Sequence, residues 1–337
     1  MKIMTKELKD VIAMLDDIVK EYKEDTPEKE RDWRTYEEQL ARRLKKAFEE
    51  LQPLVKDAVS SIEEVKGDNR GSKPVLTLEQ KVLVLLLKHI FGQSNRNMSF
   101  MFVVFSWLTN VSVSYKSVER LYSDEMVILA LHNLHILTLK KKDVKASDST
   151  GDGTGYALSV KKHYSTEAQK LKDKIKKQKK KSHKKAQFIY SFKLMDLRTR
   201  LYIGYGCSIK SEKEAFIAAI ETAKDTGINI QSIRLDKYFS AQAYVKFLQE
   251  NLGETKIYLI PKKNATINGP WEWKRMLHRL IQDPKEYLKE YFKRNQSESG
   301  MSEDKRRTGW KLGQKRLDRI NTANLCTILW HNMYWLD

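Results

Sequence analysis

The sequence predicts a chain in two parts. An all-α N-terminal region precedes an α+β or α/β domain in which helices flank a mixed sheet. Three observations carry this. Hydrophobic periodicity near 3.6 residues runs through roughly the first 140 residues with no alternating strand pattern. From Lys142 onward, short segments of period two take turns with amphipathic helices. Charge divides at the same place: residues 1–140 carry 22 basic and 22 acidic side chains, so the whole net charge of +19 lies in residues 141–337.

Thr5 to Glu63 reads as two long charged helices. Leu8, Val11, Ile12, Leu15 and Ile18 stripe the first. Pro27 opens the second, and Leu40, Leu44, Phe48 and Leu51 continue its apolar side. Residues 1–66 thus form a charged helical region, and residues 67–76, with GDNRGSKPV, form a linker. Residues 77–140 read as a compact helical unit. Thr77 precedes LEQKVLVLLLKHIFG, a helix buried on most sides, and MSFMFVVFSWL, TNVSVS and YKSVERLYSDEMVILALHNL follow. Helix, short break and helix, capped by Ser112 or Ser114, suggest a helix-turn-helix with Tyr115, Lys116, Ser117 and Arg120 at the start of a reading helix. An ordinary helical hairpin is the alternative.

Residues 141–337 form the α/β part. VKASD ends a first strand at Asp148. Phe188, Tyr190, Phe192 and Leu194 alternate, LRTR turns, and Leu201, Ile203 and Tyr205 alternate again, which makes a hairpin. Ser211 and Glu214 form a capping box for a helix with Phe216, Ala219, Ile220 and Ala223 inward and Gly227 beyond its end. INIQSIRLD is a strand ending at Asp236, Ser240 caps a helix through Leu252, and KIYLIP is a fifth strand. Asp283 and Pro284 open a helix that runs to Glu298. Three strands, helix, strand, helix, strand, helix is the ribonuclease H-like order.

Composition narrows the function. With 41% apolar and 32% charged residues and a mean hydropathy of -0.60, a soluble protein is expected. Apolar runs such as Val82 to Leu87 are too short to span a bilayer, and MKIMTKELKD lacks a secretory core. Cys207 and Cys326 stand alone, which excludes a disulfide framework and a CxxC zinc site, so an intracellular protein is expected. His132 and His135, three apart on an apolar helix, read as packing. The basic insertion at 161–187 nets +10 and is poor in apolar residues, so it reads as an element that orders on a polyanion. Lys176, Lys177, Lys179, Lys180 and Lys181 are its expected phosphate contacts.

The chemistry would gather late in the chain. In YFKRNQSESGMSEDK, residues Arg294, Glu298 and Lys305 fall about 60°, 20° and 40° from Tyr291 on one helix face, provided Gly300 does not break it. A carboxylate can take a divalent metal while Arg, Lys and Tyr hold a phosphate. Asp148 and Asp236 sit at strand ends in this order of elements, so they can converge with Glu298. Three carboxylates suit two Mg²⁺ ions about 4 Å apart, the arrangement for in-line phosphoryl displacement. Singly, each acid reads as a surface residue or a cap.

KASDSTG, KKSHKKAQFIYSFKLMDLRTR, LDKYFS, LIPKKN and YFKRNQSESGMSEDKRR together resemble the DDE transposases of prokaryotic insertion sequences, over roughly Val144 to the C-terminus. The spacing of Tyr291, Arg294, Glu298 and Lys305 is similar to the insertion-sequence-four-type branch with its Tyr-Arg-Glu-Lys signature. The resemblance implies that Asp148, Asp236 and Glu298 are the metal-binding catalytic triad, and that Tyr291, Arg294 and Lys305 grip the phosphates of the element end. It implies two Mg²⁺ ions, with Mn²⁺ able to substitute. It also implies binding to double-stranded element ends and target DNA, a homodimer in the synaptic complex, and a cytoplasmic, nucleoid-associated enzyme that cleaves DNA and joins the 3′-hydroxyl to a target. Departures exist. The stretch from Ile260 to Glu298 is too short for the β-domain inserted in some relatives, and Glu303 and Asp304 are alternative third carboxylates. Trp310, Trp330 and Trp335 read as core, with stacking on a displaced base as the alternative. The rival functions are a non-catalytic DNA-binding protein derived from a transposase, and a cellular nuclease or junction resolvase of the same fold.

Overall fold

A computed structural model of the chain describes residues 4–25, 32–62, 75–104, 112–157, 188–314 and 316–337. Among the described residues six helices come first: α1 (Thr5–Asp25), α2 (Trp33–Ser60), α3 (Leu78–Ile90), α4 (Asn95–Val104), α5 (Tyr115–Leu121) and α6 (Glu125–Lys141). Their starts follow cap chemistry. Asp32 accepts from the N–H groups of Arg34 and Thr35, Thr77 and Gln80 form a capping box, and Ser114 and Asp124 cap α5 and α6. Pro27 lies outside the described residues, and so does the link 105–111 between α4 and α5. The expected reading helix is α5, only 7 residues long.

The second half contains β1 (Ala146–Ala157), β2 (Phe188–Asp196), β3 (Tyr202–Ser208), α7 (Glu212–Asp225), β4 (Asn229–Arg234), a 3₁₀ turn (Lys237–Phe239), α8 (Gln242–Leu252), β5 (Lys256–Tyr258), α9 (Trp271–Gln282), α10 (Pro284–Phe292), α11 (Asn295–Thr308) and α12 (Leu317–Tyr334). The five strands form one mixed sheet in the order β3-β2-β1-β4-β5. β1 and β2, and β2 and β3, pair antiparallel, while β4 runs parallel to β1 and to β5. This is compatible with the expected ribonuclease H-like order.

Each face of the sheet has its own core, as period-two strands buried on both sides require. Phe192, Leu194, Phe216, Ile233 and Trp273 form one core, to which α1 adds Leu8 and Leu15 by packing on α9 and α10. On the other face Met195, Tyr202 and Tyr205 join a core built from α2, α3, α5, α6 and α12. The inward face expected for α7 is correct, since Phe216, Ala219, Ile220 and Ala223 are buried. Ser211 caps the helix by accepting from the Glu214 N–H, but the Glu214 carboxylate accepts from the Ser208 hydroxyl and does not close the expected capping box.

Several local expectations change. Asp148 lies near the start of β1, not its end, because the strand continues through the glycines to Ala157. The helix from Pro284 stops at Phe292, and Glu298 belongs to the next helix. Gly300 breaks nothing and sits inside α11, where a Cβ would come 2.4 Å from the Met195 methyl and 3.0 Å from the Tyr202 hydroxyl. Ser240 closes the 3₁₀ turn, and α8 has Ala241 at its N-cap, with no side-chain cap. The basic insertion, with Lys176, Lys177, Lys179, Lys180 and Lys181, lies outside the described residues.

Candidate active site

Register decides which acids meet. In the parallel ladder Thr150 pairs with Arg234, so two residues further on Asp152 comes level with Asp236. Asp236 follows the end of β4, where its carboxylate accepts from the Tyr238 N–H at 3.4 Å. In the antiparallel ladder Asp152 pairs with Lys193, whose side chain bonds Asp304 of α11, so both point to the α11 side of the sheet. The opposite side of β1 is glycine. A Cβ on Gly151 would meet the Phe192 ring at 2.8 Å, and one on Gly153 would meet Glu212 Oε1 at 1.9 Å.

Helix α11 is stitched over this point. Thr150 Oγ1 lies 3.3 Å from Ser297 Oγ and bonds the Arg294 carbonyl at 3.4 Å. Further along, the buried Asp304 accepts from Lys193 Nζ (2.5 Å) and the Tyr202 hydroxyl (2.9 Å), and its Oδ1 lies 2.8 Å from His331 Nδ1. These bonds and the close approach at Gly300 hold Glu298 toward the strand ends.

Three acids therefore share one region. Burial raises the Asp152 carboxyl to about 6; the Gly153 N–H at 2.8 Å opposes this, Glu298 and Asp236 add to it, and Arg294 offsets part of it. Arg294 stands among them, with Nη1 2.8 Å from Glu298 Oε1 and Nη2 3.8 Å from Asp236 Oδ1. Glu212, at the start of α7, is a fourth acid nearby: burial raises its pKa, and Asp236 raises it further. Asp148 is not in this group. It is exposed, bonds the Ser232 hydroxyl, and precedes Asp152 by four residues, about 13 Å along the strand. The carboxylates offer the hard oxygens that Mg²⁺ takes, so the donor chemistry fits. Among the described residues, however, no three His, Cys, Asp or Glu side chains are close enough to hold a metal as they stand.

The chain is 38% identical over 336 residues, covering 99% of its own length and 97% of the relative's, to an Archaeoglobus fulgidus protein named "Probable transposase for insertion sequence element ISA1214". It belongs to the insertion-sequence transposases. No family model matches it.

In this transposase the other expected contact residues fare differently. Tyr291 is 3% exposed, its hydroxyl is pushed up to about 12 by burial, and its ring lies 5.5 Å from the Arg294 guanidinium. It supports Arg294 from beneath and does not present itself to solvent. Lys305 lies about 10 Å beyond Glu298 on the same side of α11. Its ammonium is 4.8 Å from the Trp310 ring and 5.5 Å from Tyr156. Trp310 is 66% exposed, while Trp330 is buried and bonds the Leu86 carbonyl. Trp335 is half-buried between elements, 3.9 Å from the Arg43 guanidinium. The alternative acids are spoken for: Asp304 is inside the core and Glu303 pairs with Arg307. His132 bonds the Tyr205 hydroxyl and His135 approaches the Tyr202 carbonyl, so the histidine pair packs α6 on the sheet. No described helix of the transposase is long and apolar enough to cross a membrane.

Asp152 is not among the acids the sequence singles out because the first strand is expected to end at Asp148, whereas β1 runs on to Ala157. The available signal was the even spacing of Gly151, Gly153 and Gly155 with Thr150, Asp152 and Thr154 between them, which is strand alternation with an empty face.

Proposed function

We propose that this transposase is a DDE-type enzyme on a ribonuclease H-like sheet, with Asp152 in the first position in place of Asp148, and Asp236 and Glu298 as expected. The carrying observation is that Arg294 bridges Asp236 and Glu298 at the end of the β1–β4 ladder, where the register brings Asp152 level with Asp236. The three carboxylates would hold two Mg²⁺ ions, or Mn²⁺ in their place, which when bound supply Lewis-acid stabilisation of a phosphoryl displacement. The chain's own groups do the rest. The Gly153 and Tyr238 N–H groups orient two of the carboxylates. Arg294 offers a planar fork and Lys305 a point charge to phosphates, as in the Tyr-Arg-Glu-Lys branch of the insertion-sequence-four type. Water hydrolyses a strand at the element end, and the freed 3′-hydroxyl then attacks a target phosphodiester. A homodimer pairing two double-stranded ends, in the cytoplasm at the nucleoid, is the working assembly.

The full-length likeness to an insertion-sequence transposase favours this over a cellular nuclease. The presence of all three acids favours it over a non-catalytic remnant. The test is Mg²⁺-dependent nicking of labelled duplex DNA. Asp152→Asn, Asp236→Asn and Glu298→Gln should each lose at least about a hundredfold, beyond what outer-shell changes usually cost. Asp148→Asn should stay within about threefold of wild type. The reverse ranking of Asp148 and Asp152 would restore the sequence expectation, and full activity in all four would remove the mechanism.

A further inference from the structure

Arg294 occupies the space between two acids that, on the function proposed above, also bind metal. Its Nη1 lies 2.8 Å from Glu298 and its Nη2 3.8 Å from Asp236. The place is built and not incidental. Tyr291 supports the guanidinium from a buried position, and the Arg294 carbonyl accepts from Thr150 and Ser297 at the junction of α10 and α11. The fork is also unsaturated, since Arg294 Nε is buried and has no acceptor. Arg294, Asp152, Asp236 and Glu298 together carry one positive charge against three acids.

An arginine paired to a carboxylate and a divalent cation compete for the same oxygens. A DNA phosphate offers the guanidinium a bidentate partner of at least equal quality. We propose that Arg294 is an exchangeable counter-ion: without DNA it holds Glu298 and Asp236 and opposes metal binding, and a DNA phosphate draws it off and frees both carboxylates. Metal and DNA then bind cooperatively, each raising the other's affinity by the same factor. The enzyme would load metal fully only on its substrate. This inference rests on the metal-site assignment made above.

The experiment is Mn²⁺ binding to the full chain, followed by the electron paramagnetic resonance of free Mn²⁺. It is run with and without duplex DNA at low salt, where sequence-independent binding suffices, and against a DNA-only titration. DNA should tighten Mn²⁺ binding to wild type at least about fivefold, in the range usual for coupled sites. Arg294→Gln should bind Mn²⁺ at least about fivefold more tightly than wild type without DNA, and should gain little when DNA is added. Arg294→Lys, which keeps the charge without the fork, should fall between them. Mn²⁺ binding that requires Asp152, Asp236 and Glu298 but ignores Arg294, or that DNA leaves unchanged in wild type, overturns the counter-ion role alone. Mn²⁺ binding that survives Asp152→Asn and Glu298→Gln overturns the metal-site assignment, and this inference with it.

Discussion

Lys193 and Asp304 show how much a single buried pair can govern here. Both side chains are within 1% of full burial, and they join β2, opposite Asp152, to the helix that carries Glu298. Burial alone would raise the Asp304 carboxyl, but Lys193, His331 and Arg307 outweigh it and hold the group well below the usual carboxylate range. A depressed folded-state pKa contributes stability above the unfolded value of about 3.9, and this is lost as pH falls toward the folded value. Lys193→Met leaves a buried carboxylate without its closest cation and should cost about 3–5 kcal/mol in urea unfolding. The double variant Lys193→Met/Asp304→Leu should recover most of that loss. It should also lose less stability than wild type between pH 5 and pH 3, a comparison of unfolding midpoints that a purely steric role would leave unchanged.

Helix α11 is the element on which the site depends, and its seat is set by Gly300. An alanine there would gain up to about 1 kcal/mol of helix propensity in isolation. Against that, its methyl would meet Met195 at 2.4 Å and the Tyr202 hydroxyl at 3.0 Å. The methionine methyl can swing, but the Tyr202 hydroxyl is fixed by its bond to Asp304. Overpacking of this kind costs about 1–3 kcal/mol, so Gly300→Ala should be net destabilising. It should also lower strand cleavage more than it lowers DNA binding, because Glu298 rides on the displaced helix. Equal losses of both in a gel-shift and nicking comparison would mean that the helix positions no catalytic group. The break between α10 and α11 at Lys293 and Arg294 belongs to the same element. It places Arg294 at a corner, and it turns a signature that reads as one helical face into residues on two helices.

At the scale of the whole molecule, charge asymmetry suits the second half to binding a polyanion. The net +19 lies beyond residue 140, and the 161–187 insertion supplies +10 of it. Replacing Lys176, Lys177, Lys179, Lys180 and Lys181 with Gln should weaken binding to element ends and unrelated duplexes alike. The slope of log affinity against log salt should become shallower by at least about 1, since each lost phosphate contact releases roughly one counterion fewer. Fluorescence anisotropy at several salt concentrations measures this, and an unchanged slope would show that the insertion does not touch DNA. The helices of the first half are no separate appendage to this surface. α1 packs on α9 and α10, and α2 packs on α6 and α12, so both ends of the chain close around the sheet.

Local chemistry was enough for much of this protein. Periodicity located the β2–β3 hairpin and the inward face of α7, and cap residues marked the starts at Thr77 and Ser211, because each signal lies within a few residues. The charge division and the candidate acids Asp236 and Glu298 stand out in the sequence for the same reason. The proposed partner Asp152 does not. Which residue of β1 stands level with Asp236 depends on pairing with a strand some eighty residues away, and the glycines beyond the expected strand end make room for Phe192 and Glu212. Nor did the sequence announce α12, whose buried face includes Thr322, Asn324, Thr327, His331 and Asn332. A helix enclosed on nearly all sides shows no amphipathic period. Its polar groups are satisfied only by distant partners, Asn324 by Ser191 and Asn332 by the backbone of Tyr202. Likewise Tyr291 looked like a surface contact until packing buried it beneath Arg294. Register, enclosure and burial are relations between segments far apart in the chain, and no window of sequence contains both partners.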